Sequence, residues 1–465
     1  MKKSLLWLII TMMCIALIGT FTLAGCKTTA EETAEETTEE ETEEATEETT
    51  EEEVEETTEE EAVSELTTDP VKLIHYHQNS DTGNEYIIQM SEEFMELYPN
   101  VELEVVFYNP EDLEAKVKTT IGAGTVQLDS FEMGNFSAAW FLENDVLAEL
   151  TPESWGLSTT EEVVDLFVPG SFAATGCVYK GKYYGVPLLM NAWSAWLNKT
   201  HMVEAGLDPT NAPVTWDEFV EIAKALTVTE GEIITREGLG IINNAFWTLF
   251  VVNTMMQQKG LDWLSLEGMI AGCDDPGTVE VLTEFTDWVL VDKIWDPALT
   301  DDVHMGLANG QVSGTVSGGT WLWGVLSGAE ANLDDYMPIP YPTFADGEKK
   351  LGLIYGMANH VTKISENPEW AYKWCEYMVA DPEAWIGYGS QYIPKADLDA
   401  SALADEIRDW SVFEETLNNG TPIISSTKFT EIQDAVYAAT QRVIFEGMSN
   451  EDSVVKLKTD LEALQ

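Results

Sequence analysis

The chain has 465 residues, with 83 Asp and Glu against 23 Lys and Arg and a formal charge of −60. So acidic a surface repels phosphate backbones and anionic headgroups, which argues against nucleic-acid binding and against a polybasic membrane patch. The length exceeds one ordinary core and fits about two or three domains. Hydrophobic residues at 45% exclude global disorder.

Lys2 and Lys3 precede an apolar stretch from Leu5 to Leu23, which ends at Leu23-Ala24-Gly25-Cys26. A basic start, an apolar middle and small residues before a cleavage point read as a secretory signal. The stretch resembles a bacterial lipoprotein signal, with Leu23 to Cys26 as its lipobox. That resemblance implies cleavage before Cys26 and acylation of Cys26, which would anchor the protein in a membrane. An uncleaved anchor is the other reading, and it would leave the same body outside. From Glu31 to Glu61 there are 19 Glu and no Lys or Arg. Repelling charges with no apolar face at any period predict an extended, disordered tether. Beyond Cys14 in the signal and Cys26, only Cys177, Cys273 and Cys375 remain. They lack CxxC spacing, so they make no zinc site and at most one disulfide, and each reads as a small buried hydrophobe.

The folded body is expected to begin near Pro70. Val71 to His77 reads as a strand, and Asn79-Ser80-Asp81 turns the chain into a helix with a stripe at Ile87, Met90, Phe94 and Leu97. Val101 to Phe107 alternates as a second strand, and Leu113, Val117 and Ile121 mark a second helix closed by Gly122 and Gly124. This βαβα order predicts an α/β fold with a parallel sheet covered by helices. Thr215-Trp216-Asp217-Glu218 fits a capping box, followed by a buried stripe at Phe219, Ile222 and Leu226. Asn367-Pro368 and Asp381-Pro382 each read as a cap with proline at the first helical position. Trp370, Trp374 and Met378 supply the apolar face of the first of these helices. Phe429, Ile432, Val436 and Val443 mark a last long helix stopped by Gly447.

These segments, from about Val71 to Leu464, resemble the carbohydrate-type extracellular solute-binding proteins of ABC importers, the broad family that includes maltose-binding protein. The resemblance is carried by Phe94-Met95-Glu96-Leu97-Tyr98-Pro99-Asn100-Val101, Lys180-Gly181-Lys182-Tyr183-Tyr184-Gly185-Val186-Pro187, Trp196-Leu197-Asn198-Lys199 and Pro213-Val214-Thr215-Trp216-Asp217-Glu218. Asn309-Gly310-Gln311 followed by Gly318-Gly319-Thr320-Trp321 is similar to a further block, with Gln311 and Gly314 standing where the family usually has Lys and Met. It implies a two-lobe periplasmic-binding-protein fold with three interlobe crossovers, near Val186 to Leu189, Pro338 to Pro342 and Ser390 to Lys395, and a ligand cleft between lobes. The implied organisation is a signal at 1–25, a lipidated Cys26 and tether over 26–66, an N-terminal lobe of 67–187 plus 341–392, and a C-terminal lobe of 188–340 plus 393–465. It further implies a receptor outside the cytoplasm that delivers a sugar or oligosaccharide to the membrane subunits of an importer.

The sequence contains no HExxH, GxSxG, Walker A or EF-hand pattern. His75 and His77 share one face of a strand, so they can meet one metal ion, but no third ligand is identifiable and neither metal nor cofactor is expected. The 16 Trp, 15 Tyr and 16 Phe are more informative. A sugar site wants aromatic platforms for flat C–H faces and fixed polar groups for hydroxyls, and open parallel sheets place ligands at strand ends. The candidates are therefore His77, Gln78, Asn79 and Ser80 after the first strand, and Glu132, Met133, Gly134 and Asn135 after a strand near Leu128 to Phe131. Asn191 and Trp193 lie just past the first crossover, Asn244 and Trp247 in a polar–aromatic run, and Tyr355 and Gly356 at another strand end. Trp321 follows two glycines, expected to let a ligand approach the backbone. If a helix begins there, Trp321 and Trp323 point in nearly opposite directions, Trp321 toward the cleft and Trp323 toward the core. Each candidate also has a plain structural role, as turn cap or core filler. A secreted glycoside-acting enzyme and a receptor for a non-sugar solute remain the alternative functions.

Overall fold

The computed structural model describes residues 66–80, 83–124, 126–348, 350–389, 392–398 and 406–465. The signal stretch, Cys26 and the acidic run lie outside these residues. Strand β1 (Val71–Gln78) is followed by helix α1 (Gly83–Leu97), β2 (Val101–Tyr108), α2 (Pro110–Ala123), β3 (Ser130–Gly134) and α3 (Asn135–Glu143). β1 pairs in parallel with β2 on one side and β3 on the other. Alternation along β1 sends Val71 and Leu73 to one face, in a core with Ile87, Met90 and Phe94 of α1. Tyr76 and Ile74 take the other face, with Leu113 and Val117 of α2. Both faces are thus covered, the usual condition of parallel strands. Leu97, expected on the buried stripe, is 60% exposed. It is the last residue of α1 and sits roughly 80° around the helix from Ile87, on the rim of the stripe.

After β4 (Val186–Ala192) and β5 (Ser194–Asn198) come α4 (Trp216–Leu226), α5 (Ala245–Gln258), α6 (Pro276–Leu290), α7 (Val303–Asn309), β6 (Gly314–Gly318), α8 (Leu322–Gly328) and β7 (Tyr336–Ile339). The chain continues through β8 (Leu353–Val361), α9 (Pro368–Met378), α10 (Pro382–Gly389), β9 (Thr421–Pro422), α11 (Phe429–Ile444) and α12 (Asn450–Glu462). A six-stranded sheet runs β9–β8–β3–β1–β2, with β4 also on β8, and a three-stranded sheet runs β6–β5–β7. β8 is antiparallel to both β3 and β4, so the larger sheet is mixed. Local βαβα order predicted only its parallel part, because β8 enters this sheet from the other one.

The chain leaves the larger sheet at Trp193, between β4 and β5, and returns between Ile339 and Leu353. Val186 to Leu189 lie inside β4. The passing segments run side by side. Trp193 N–H donates to Leu353 O at 2.8 Å, and Met190 N–H donates to Tyr392 O at 2.9 Å. Gly352 has φ 138°, and a Cβ there would stand 2.0 Å from Trp193 O, so the close approach requires glycine. Gly185 (φ 130°) is similar: its Cβ would stand 2.6 Å from His360 Nδ1. His360 Nδ1–H donates to Tyr184 O at 2.5 Å, which ties the Tyr184-Gly185-Val186-Pro187 stretch to β8.

Local signals hold where they rest on short-range hydrogen bonds. Thr215 and Glu218 form the capping box of α4, and Asn198 accepts from His201 N–H at 3.0 Å to start the next helix. Asp381 Oδ1 accepts from Ala384 N–H at 3.0 Å. Asn367 stands at the cap position of α9 but makes no side-chain cap bond. Trp370, Trp374, Met378, Phe429, Ile432, Val436 and Val443 are all buried, each such side chain contributing about 1.5–3 kcal/mol. Cys177, Cys273 and Cys375 are free and buried in the main core, and burial pushes the Cys177 thiol up to about 12. Among the described residues, no helix is long and apolar enough to cross a membrane.

Candidate functional site

A cleft of about 330 Å³ is lined on one side by residues of β1, β3, β4 and β8, and on the other by residues of α5, α8 and the 301–304 segment. His77, Gln78, Asn79, Ser80, Glu132, Asn191, Trp247, Trp321 and Tyr355 are among its lining residues.

The polar wall begins inside the sheet. His75 Nδ1 lies 2.8 Å from Ser130 Oγ, and His75 Nε2 lies 3.2 Å from His77 Nδ1. His77 Nδ1 is also 3.3 Å from Glu132 Oε2, which accepts from Gln78 N–H at 3.0 Å. One proton assignment satisfies this chain: His77 Nδ1–H is shared between Glu132 and His75 Nε2, and His75 Nδ1–H donates to Ser130. His77 Nε2 is then an acceptor. Burial lowers both histidines below their usual range, and for His77 it outweighs the opposite pull of the Glu132 charge. Asn191 and Tyr355 are register partners across β4 and β8. Burial also pushes the Tyr355 phenol up. At the turn after β1, Asn84 Nδ2–H donates to Asn79 Oδ1 at 2.6 Å, and Gly83 N–H donates to Ser80 Oγ at 3.1 Å, so these two shape the turn as well as line the cleft.

The opposite wall is aromatic. Trp247 stands in the first turn of α5, its N–H bonded to Asn244 Oδ1 at 3.0 Å. Its ring stacks on Trp193 at 5.1 Å and 17°. His304 meets Trp247 at 5.2 Å and Trp321 edge-on at 4.7 Å. His304 Nε2–H donates to Ser317 O at 2.8 Å, which orients that ring between the two indoles. Trp321 lines the cleft, whereas Trp323 is buried against Trp196 at 4.7 Å and donates its Nε1–H to Arg408 O at 2.9 Å. The two preceding glycines have a different duty from the one expected. A Cβ on Gly319 would stand 2.7 Å from Trp321 Nε1, and one on Gly318 would stand 2.6 Å from Trp196 Nε1. They make room for the protein's own indoles.

Several candidates stand behind the cleft surface. Trp193 is the second layer under Trp247, and Asn244 is the cap of α5. Glu132 and Met133 lie within β3 and do not follow it. Alternation therefore separates them: Met133 joins Phe131 in the core and borders a smaller neighbouring cavity. Gly134 is the cap position of α3. Asn135 Oδ1 accepts from Gly356 N–H at 3.4 Å, and a Cβ on Gly356 would stand 2.6 Å from Thr175 Cγ2, so this pair serves packing. The sequence reading missed Asn109, Glu111, Asp301, Asp302, His304, Phe246 and Trp385, all of which line the cleft. Asn109 follows β2 directly, and the strand-end rule applied to that strand would have found it. His304 and Trp385 lie on helices whose local pattern carries no such signal. Among the described residues, no group of three His, Cys, Asp or Glu could hold a metal ion.

Residues 80–385 match the family of bacterial extracellular solute-binding proteins. The arabinooligosaccharide-binding protein of Halalkalibacterium halodurans is 23% identical over 306 residues, or 64% of this chain and 64% of that protein. The maltodextrin-binding protein MdxE of Bacillus subtilis is 23% identical over 290 residues, or 59% of this chain and 64% of that protein. The chain thus spans just under two thirds of the length of these relatives. A solved ABC transporter solute-binding protein of Thermotoga lettingae, bound to α-D-tagatose, superposes with a TM-score of 0.73 at 21% identity, covering 85% of this chain and 100% of that one. The shared architecture is the two-lobe periplasmic-binding-protein fold. A family match through more than half of its residues, on that fold, means that the chain belongs to the bacterial extracellular solute-binding proteins.

Proposed function

We propose that the protein is a receptor outside the cytoplasm that captures a sugar or short oligosaccharide in this cleft and delivers it to the membrane subunits of an ABC importer. The observation that carries the reading is the pairing of walls: polar groups at His77, Gln78, Glu132 and Asn191 and indole rings at Trp247 and Trp321 line one cleft. Hydroxyl edges and C–H faces of a pyranose or furanose need those two surfaces. The names of the two relatives, an arabinooligosaccharide binder and a maltodextrin binder, agree with it.

The lobes in this reading meet where the chain crosses between the two sheets, at Trp193, between Ile339 and Leu353, and near Tyr392. The side-by-side segments at Met190 to Trp193, Gly352 to Leu353 and Tyr392 serve as the hinge on which they close. The segment at 1–25 is a lipoprotein signal, Cys26 carries the membrane anchor, and the Glu-rich run holds the body away from the membrane. The protein binds without turnover. Titrating the full chain with maltodextrins and arabinooligosaccharides, by calorimetry and thermal shift, tests this. Saturable binding that raises the melting temperature and returns the sugar unchanged supports a receptor. Release of shortened sugar overturns it in favour of a glycoside-acting enzyme.

A further inference from the structure

The charge of the cleft narrows what it accepts. Among the described residues, four carboxylates line it, Glu111, Glu132, Asp301 and Asp302, and no Lys or Arg does. Glu132 is only 3% exposed and sits in the middle of β3. Its Oε2 is held by Gln78 N–H and faces His77, while its Oε1 makes no hydrogen bond among the described residues. An ionised carboxylate is an acceptor only, so a buried one lining a cleft asks its ligand for donors. Asp302 Oδ1 accepts from Met305 N–H at 3.0 Å as the cap of α7, which fixes a second negative group at the opposite wall. Among the described residues that line the cleft, the basic side chains are His77 and His304. Burial lowers His77 and so favours its neutral form, and His304 gives its Nε2–H to Ser317 O.

We infer that the cleft selects sugars that carry no negative charge, uncharged or amine-bearing, and rejects uronic acids and sugar phosphates. The inference rests on the sugar-receptor reading and gives that receptor its ligand class. An anionic group brought between these walls meets the buried Glu132 on one side and the exposed carboxylates of Glu111, Asp301 and Asp302 around it, whose repulsion is long-ranged at low salt and screened at high salt. An amine meets attraction instead, and a neutral hydroxyl meets Glu132 as a ready acceptor.

Matched pairs test it. Maltotriose and arabinotriose are compared, by calorimetry on the full chain, with the same sugars after their primary alcohols have been oxidised to carboxylates. The expected result is affinity weaker by about tenfold or more for each oxidised member at low salt, with the gap closing as salt rises toward 1 M. Asp301→Asn and Glu111→Gln should each narrow the ratio between neutral and oxidised sugar. Equal or tighter binding of an oxidised sugar overturns the inference and leaves the receptor reading intact. So does a gap that neither salt nor the two substitutions changes, since that gap would report shape. If neither neutral nor oxidised sugars bind at any salt, the receptor reading fails, and the inference with it.

Discussion

The wall built on the six-stranded sheet and the wall built on the helices of the three-stranded sheet reach the same cleft by opposite means. The first is a row of buried polar side chains, His75, His77, Glu132 and Ser130, joined by hydrogen bonds before any ligand arrives, with Glu132 Oε1 and His77 Nε2 left for a ligand. The second is a layered stack, Trp193 under Trp247 with His304 wedged beside Trp321, held by ring contacts. A polar wall must be prepaired because an unpaired buried polar group is costly, whereas an aromatic wall needs only backing. The two regions should therefore respond differently to pH and to truncation.

The largest contrast expected is in pH-dependent stability. On the side of the smaller sheet, Glu237 is buried, with Oε1 accepting from Asp296 N–H at 2.8 Å and Oε2 without a partner, and burial pushes its carboxyl up to about 8. A pKa raised in the folded state gives stability that is present in full below the usual carboxylate range and is lost as pH rises through about 8. That loss is on the order of 5 kcal/mol. In the larger sheet His360 is lowered to about 4 by burial, and His75 and His77 are lowered too. Their contribution is present above about 6.5 and is lost as pH falls through the lowered values, with roughly 3 kcal/mol from His360 alone. His201, buried beside Ser313 on the side of the smaller sheet, is lowered too and adds to the acid limb. Denaturant melts from pH 4 to 9 should show Glu237→Gln flattening the alkaline limb and His360→Gln flattening the acid limb. If either substitution acts on the other limb, the contrast between the regions is broken.

Truncating indoles sharpens the same comparison within one wall. Trp323→Ala should leave a cavity against Trp196 and lower unfolding free energy by about 3–5 kcal/mol, with affinity little changed in the folded fraction. Trp321→Ala should do the reverse, weakening sugar binding by roughly 2 kcal/mol while the melting temperature without ligand barely moves. Normal binding by Trp321→Ala, with impaired binding by Trp323→Ala, would exchange their roles. On the polar wall, Glu132→Gln keeps an acceptor for Gln78 N–H but removes the charge. It should weaken neutral sugar by about 1.5 kcal/mol, the smallest effect of the set. No change in affinity would make Glu132 a purely structural partner of His77.

What the sequence determined by itself follows from the range of the forces concerned. The capping box at Thr215 and Glu218, the stop at Gly124, the parallel pairing of β1 with its neighbours and the stripe of α11 all depend on residues within one element or on adjacent elements, so they were legible in residue order. The strand-end rule brought His77, Gln78, Asn79 and Asn191 to the cleft, and glycine pairing marked Trp321, though for the wrong reason. Only the tertiary structure decided that β8 runs antiparallel into the first sheet, and that Trp193 backs Trp247 without lining the cleft. It alone placed Asp301, Asp302, His304 and Trp385 opposite strands that lie far from them in sequence. Which face of a helix meets a cleft is set by packing between elements brought together after long excursions of the chain, and no local pattern encodes that choice.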